Sequence, residues 1–192
     1  VAEQSPRRYE IDFRFAVLDA DDVNAFAAPG GYIFITRGAL AVMESEAELA
    51  GVLAHEIGHV DAKHVIGEIR RADVIQTAQD ESQLSGALLD RIASLGTGLL
   101  FTGLSREDEL EADALGLRYA AATGYRADGL IRFVDRLRAL EGTDEGRLRE
   151  LSATHPSPAD RLEALRHVEY GIDPEAGEVL DGRFRRHTAS VR

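Results

Sequence analysis

The sequence contains no cysteine, so disulfides and thiolate-held metals are excluded from the start. Long hydrophobic runs are missing too. No stretch reaches the ~18 consecutive apolar residues of a membrane-spanning helix. The nearest, residues 92–104 (IASLGTGLLFTGL), is too short and is broken by Gly96, Gly98 and Gly103. Positive charge is scarce: 22 Lys and Arg stand against 34 Asp and Glu, a net charge of −12. That balance excludes the basic footprint a nucleic-acid binder needs. Lysine itself is represented only by Lys63, a compositional bias with no mechanistic reading. There is no internal repeat and no low-complexity block. The chain opens at Val1 without a signal peptide, so any targeting or membrane-associating segment is expected to lie outside it.

What remains is ordinary for a soluble globular protein: 192 residues, 44% hydrophobic and 29% charged. That length suits one domain with a real core. We expect a flexible segment over residues 1–8, a single domain over 9–170 and a C-terminal tail over 171–192. Residues 9–18 read as a strand, and 23–36 as two short strands around Pro29-Gly30-Gly31. Residues 38–43 form a short helix or turn, and 68–83 a helix followed by a loop. Residues 84–104 are glycine-interrupted and are either a lid or an ordinary short helix and loop. Two amphipathic helices follow, over 105–122 and 127–140, then a charged loop over 141–149. A last clear helix covers 158–167, with Pro158 at its first position. Residues 178–192 end in a basic run and read as a flexible arm or edge segment.

The densest chemistry lies in residues 45–66, SEAELAGVLAHEIGHVDAKHVI. Ser45 followed by Glu48 is a capping box, which marks a helix start. Leu49, Val52, Leu53, Ile57 and Val60 recur at helical spacing. On that helix His55 and His59 lie one turn apart on the same side. Both can direct a ring nitrogen at one zinc ion from about 2.0–2.1 Å. Glu56 stands about 100° round the helix from His55, beside the metal rather than on it. A carboxylate there can take a proton from a zinc-bound water. Two histidines on a helix can also be plain surface or core residues; the capped amphipathic context and a suitable partner helix argue against that.

Catalytic zinc takes three protein ligands and keeps one position open. His64 stands five residues beyond His59, about 500° further round a continuous helix and off the ligand face. A metzincin would place a histidine at residue 65, which is Val65. His64 is therefore expected to be an ordinary helix residue. Without cysteine, a deformylase-type site is excluded as well. The better source is the second capped helix, where Ser105 and Asp108 make the cap and Glu109 and Asp113 share a face. One can ligate zinc and the other can hold a ligand histidine through its non-metal nitrogen. Glu111, about 200° away, should face elsewhere. The alternative is that these acids form a solvated charged face.

A histidine pair followed by E-x-x-x-D resembles the gluzincin metallopeptidases. In detail the chain resembles the CaaX-prenyl-protease and HtpX-like family of zinc metallopeptidases, in its soluble BepA/LoiP-like branch. Four pieces carry the resemblance. They are Asn24-Ala25-Phe26 through Pro29-Gly30-Gly31 to Thr36-Arg37-Gly38; Glu48-Leu49 with the 55–59 motif and His64; Ser105-Arg106 with Glu109, Ala112 and Asp113; and His155-Pro156 with Arg161. The membrane helices of the HtpX and prenyl-protease branches have no counterpart in this sequence, which speaks against a prenylated substrate.

The resemblance implies an α+β, mostly α fold, a minimal gluzincin domain with a small N-terminal sheet packed on the motif helix. It implies one Zn2+ per chain held by His55, His59 and Glu109, with Asp113 behind His55 and Glu56 as the catalytic base. It places His155 near the metal as a plug or fourth ligand, although His-Pro before a helix can also be only a turn. Arg161 either stabilises the oxyanion of the reaction or holds the fold by an ion pair. The activity implied is a zinc-dependent metalloendopeptidase acting on extended or unfolded polypeptide. Such a substrate would dock by strand addition on residues 24–28, through Asn24, Ala25 and Phe26. The role implied is protein quality control in the periplasm or cell envelope. The alternative is a latent or plugged zinc protein that acts as a chaperone or interaction module. Glu56 weighs against that alternative, because a purely structural zinc site has no use for it.

Overall fold

The computed structural model describes residues 1–71, 104–167 and 171–191. The expected loop after residue 71 and the lid read over 84–104 lie outside the described residues, apart from residue 104 itself.

Helix α2 (Glu46–Asp61) is the centre of the domain. Its residues are buried almost all the way round, from Ala47 to Val60. A helix buried on every side must be enclosed by other elements, and α2 is. It packs most extensively on α4 (Arg106–Ala122), then on α5 (Asp128–Leu140), and on a strand from the sheet. Ser45 caps it, its hydroxyl accepting the Glu48 N–H at 3.2 Å. The other half of the expected capping box differs. The Glu48 carboxylate accepts from the Glu44 N–H at 2.9 Å, and Glu48 is fully buried against Arg136 of α5. The carboxylate thus takes the amide one residue before the cap together with a charged partner, in place of the Ser45 amide.

The sheet has three strands in the order β1 (Arg14–Leu18), β3 (Tyr32–Thr36), β2 (Ala25–Ala28). β1 runs parallel to β3 with Phe15 opposite Ile33; β2 runs antiparallel to β3 with Phe26 opposite Phe34. Gly30 and Gly31 turn the chain between β2 and β3, both at positive φ. The first strand is shorter than the sequence suggests. It begins at Arg14 rather than residue 9, because residues 5–11 coil into turns closed by hydrogen bonds such as Ile11 N–H to Arg7 O. The N-terminal residues fold back onto the domain. Residues Ala2–Gln4 form a 3-10 turn, and buried Ser5 donates to Asp61 Oδ1 at 2.6 Å. Tyr119 donates to the other oxygen of Asp61 at 2.8 Å, so three segments meet at the end of α2.

Short helices α1 (Arg37–Val42) and α3 (His64–Arg71) flank α2 in sequence. After α5 come α6 (Glu145–Thr154) and α7 (Pro158–His167). The charged loop expected over 141–149 is thus a loop only at its start. Leu148 and Leu151 of α6 are buried, which is what holds that polar segment in helical form. Part of the tail is helical. Helix α8 (Asp181–Thr188) buries Phe184 and lies against α2, and Arg183 pairs with Glu46. No helix among the described residues is long and apolar enough to cross a membrane.

The core has two parts. The larger joins α1, α2, α5, α6 and α7 through residues such as Leu40, Val52, Leu130, Val134 and Leu162. The smaller packs Ile11, Ala27 and Ile33 on Ile57 and Val60, which seats the sheet on α2. Close approach of α5 to α2 depends on Gly129. A Cβ there would meet the Ala47 carbonyl oxygen at 2.1 Å. Gly129→Ala is therefore expected to destabilise the fold by about 1–3 kcal/mol, as overpacking does. The check is the urea midpoint of the metal-free protein.

Candidate metal centre

Two crossing helices build the site. α2 brings His55, Glu56 and His59; α4 brings Glu109 and Asp113. Their approach is close: a Cβ at Gly116 of α4 would lie 3.0 Å from the His55 backbone nitrogen. The Ser105–Asp108 capping box is complete, at 3.1 and 3.0 Å, and fixes where α4 begins. The turn between α6 and α7 adds His155, and α7 adds Arg161.

His55, His59, Glu109 and His155 offer ligand atoms that all lie within 4.8 Å of one another, and all four residues are buried. His55 Nε2 is 3.0 Å from His59 Nε2 and 3.7 Å from Glu109 Oε2, and His59 Nε2 is 3.4 Å from Glu109 Oε1. Ligands about 2.0–2.2 Å from a tetrahedral zinc stand about 3.3–3.5 Å apart, so these three spacings bracket what zinc needs. Proton placement points the same way. His55 Nδ1 lies 2.8 Å from Asp113 Oδ1. A carboxylate only accepts, so Nδ1 carries the hydrogen and Nε2 presents a lone pair to His59 and to the Glu109 carboxylate. Lone pair against carboxylate is an arrangement that a cation stabilises. The donor set of imidazole and carboxylate fits zinc.

The electrostatics agree. Burial, helped by the nearby Arg161 charge, lowers His55 below its ordinary value, which favours the neutral ring that can ligate. Burial works against ionisation of Glu109, but His155 and then His59 outweigh it and hold the carboxyl well below the usual range. Asp113 behaves alike. Burial alone would raise it, yet Arg161 and His55 bring it down to about 2. Arg161 grips Asp113 with two N–H groups, Nη2 to Oδ1 at 2.5 Å and Nε to Oδ2 at 3.2 Å. Both residues are buried, so the pair is a strong ionic clamp behind His55.

Glu56 is 2% exposed and is not one of the four clustered ligands. It lines a small cavity of about 20 Å³ with Asn24, Ala25, His55, His155 and Arg161, against apolar walls from α5. Asn24 and Ala25 thus line the same cavity as Glu56 and two of the clustered histidines. The Phe26 side chain does not line that cavity; it stacks on Phe34 with ring centroids 5.0 Å apart. His155 Nδ1 sits 2.9 Å from both oxygens of Glu109. Burial works to lower His155, but Glu109 raises it above its ordinary value.

His64 is the residue whose place sequence reasoning missed. It is not on α2, which ends at Asp61. Lys63 adopts a positive φ of 62° and swings His64 back toward the site. There it is 6% exposed, with Nδ1 2.9 Å from His59 Nδ1.

A central helix carrying a histidine pair, a crossing helix carrying a glutamate, and a small sheet beside them form the α+β arrangement of a minimal gluzincin domain. The match to the model of peptidase family M48, over residues 1–169, places the chain in that family. The chain is 31% identical over 160 residues to the metalloprotease YcaL of Escherichia coli K12, covering 79% of this chain and 60% of that one. It is 27% identical over 172 residues to the beta-barrel assembly-enhancing protease of the same bacterium, covering 81% and 34%. It is 32% identical over 160 residues to the mitochondrial metalloendopeptidase OMA1 of Schizosaccharomyces pombe, covering 81% and 46%. The chain thus spans between 34% and 60% of the length of these relatives.

Proposed function

We propose that this domain is a zinc metalloendopeptidase that cleaves extended segments of unfolded or misassembled polypeptides in a cell envelope. The observation that carries the reading is the set of buried ligand atoms from His55, His59 and Glu109 with Glu56 in the adjoining cavity. In this reading His55 and His59 each give Nε2, and Glu109 gives a carboxylate oxygen. Zinc, when bound, polarises the scissile carbonyl and brings the pKa of its water to about 7.

The chain's own residues supply the rest. Glu56 accepts the proton of the attacking water and returns it to the leaving amine. Asp113 keeps the Nδ1 hydrogen of His55 in place, and Arg161 holds Asp113 ionised. Because both oxygens of Asp113 occupy the Arg161 guanidinium, we assign Arg161 to this clamp before any contact with substrate. Ala25, at the start of an outer strand of the sheet, offers backbone to an extended peptide, while the N–H and carbonyl of Asn24 are both engaged by Thr36. Among the described residues the buried Asn24 Oδ1 atom has no hydrogen-bond partner, and a peptide N–H would satisfy it. The envelope setting is inferred from the relatives, one of which is named for beta-barrel assembly and another as mitochondrial.

A latent form of this enzyme is favoured by His155. Its contact with Glu109 and its place among the four clustered residues support its reading as a fourth ligand. His155→Ala is expected to keep zinc and to cleave unfolded casein several-fold faster than the unaltered protein. In both, a chelator should abolish cleavage and added zinc should restore it. Chelator-resistant cleavage would sink the metallopeptidase reading. An unchanged or lower rate in zinc-loaded His155→Ala would sink the plug.

A further inference from the structure

We infer that His64 is a positioning residue for the metal centre. Its Nδ1 accepts the Nδ1–H of His59, which turns the lone pair of His59 Nε2 toward the metal. The inference rests on the reading of His59 as a ligand and adds what makes it one.

Hydrogen-bond direction carries the argument. Two imidazoles facing each other through Nδ1 share one hydrogen, and either ring can supply it. The choice is made at the far side of His64. There Nε2 lies 3.4 Å from Glu111 Oε2 and 3.5 Å from Asp108 Oδ1. Carboxylates accept only, so in neutral His64 the hydrogen sits on Nε2 and Nδ1 is left as the acceptor. His59 must then donate from Nδ1, at 2.9 Å, which leaves its Nε2 unprotonated among His55 Nε2 and Glu109 Oε1. The relay runs from the acids of α4 through His64 to His59. It ties the N-terminal cap of α4 to the metal, because the second oxygen of Asp108 accepts from Ser105 N–H at 3.0 Å.

The two ligand histidines are therefore held differently. His55 is backed by a carboxylate clamped by Arg161, and His59 by a second imidazole. The backbone supports a selected position for His64. A lysine at φ 62° is an unusual conformation for a residue with a side chain, and it is the step that brings His64 under His59.

The test compares His64→Leu, which fills the space without an acceptor, with His64→Gln, whose amide oxygen can accept. Zinc affinity is measured by competition with a chromophoric chelator, and metal-free stability by urea unfolding, on the full chain. His64→Leu is expected to bind zinc about 10–100-fold more weakly, with a metal-free urea midpoint close to that of the unaltered protein. His64→Gln should recover most of the loss. Wild-type affinity in His64→Leu, or a Gln variant no better than Leu, overturns the inference. His59→Ala separates the two levels of the claim. If it binds zinc as the unaltered protein does, the ligand reading itself has failed.

Discussion

Glu56→Gln is expected to lower peptide hydrolysis by about 10²–10⁴-fold, the usual contribution of a general base, with one zinc still bound per chain. Gln fills the same space and keeps a hydrogen-bonding head but cannot take up a proton. Glu56 is buried on α2, one residue from His55, and lies outside the group of four clustered ligands. Its loss should therefore leave metal affinity almost untouched while removing the only carboxylate that the described residues place in the small cavity adjoining the cluster. The measurement is kcat/KM on a quenched peptide, with zinc content determined on the same samples. Near wild-type turnover in a zinc-loaded variant would remove Glu56 from the mechanism.

Asp113→Ala should damage both the fold and the metal site. It strands the buried Arg161 guanidinium, which loses both of its close carboxylate contacts. Breaking a buried pair from one side costs about 3–5 kcal/mol. It also leaves His55 Nδ1 without its acceptor, which should weaken zinc binding by about 10–100-fold. Pairing Asp113→Leu with Arg161→Met separates the two effects. The double variant should regain most of the stability, since neither half of the pair is left buried without its partner, but not the zinc affinity. Urea unfolding and chelator competition read these out. The same pair predicts an acid sensitivity. Asp113 sits at about 2 in the folded protein, below its ordinary value of 3.8, so the unfolded chain takes up the proton first as pH falls. Its stabilisation is complete above about pH 4 and is lost as pH falls toward about 2.

The parts of this protein that were legible in its sequence are those set by local spacing. The helix bearing His55 and His59, and the helix bearing Glu109 and Asp113, follow from caps and apolar periodicity within a single segment. Their mutual placement came from family resemblance rather than periodicity, since no local pattern states that two helices cross. What was misread depends on tertiary context. His64 was placed by extending α2 through residue 64, whereas the helix stops at Asp61 and Lys63 reverses the chain. The segments of α6 and α8 are polar, and their helical form depends on burying Leu148, Leu151 and Phe184 against distant elements. Sequence alone does not choose between an oxyanion contact and an ion pair for Arg161, because its partner Asp113 is 48 residues away in the chain. Nothing local in residues 1–8 states where they dock, because the hydroxyl of Ser5 finds its acceptor on Asp61, 56 residues on.

The most direct test of the account is the zinc content of the protein purified without added metal, measured by mass spectrometry beside His55→Ala, His59→Ala and Glu109→Ala. The account predicts one zinc per chain in the unaltered protein and strong depletion in each variant. An unaltered protein that takes up no zinc even on reconstitution, or a His59→Ala variant that retains a full equivalent, would contradict it.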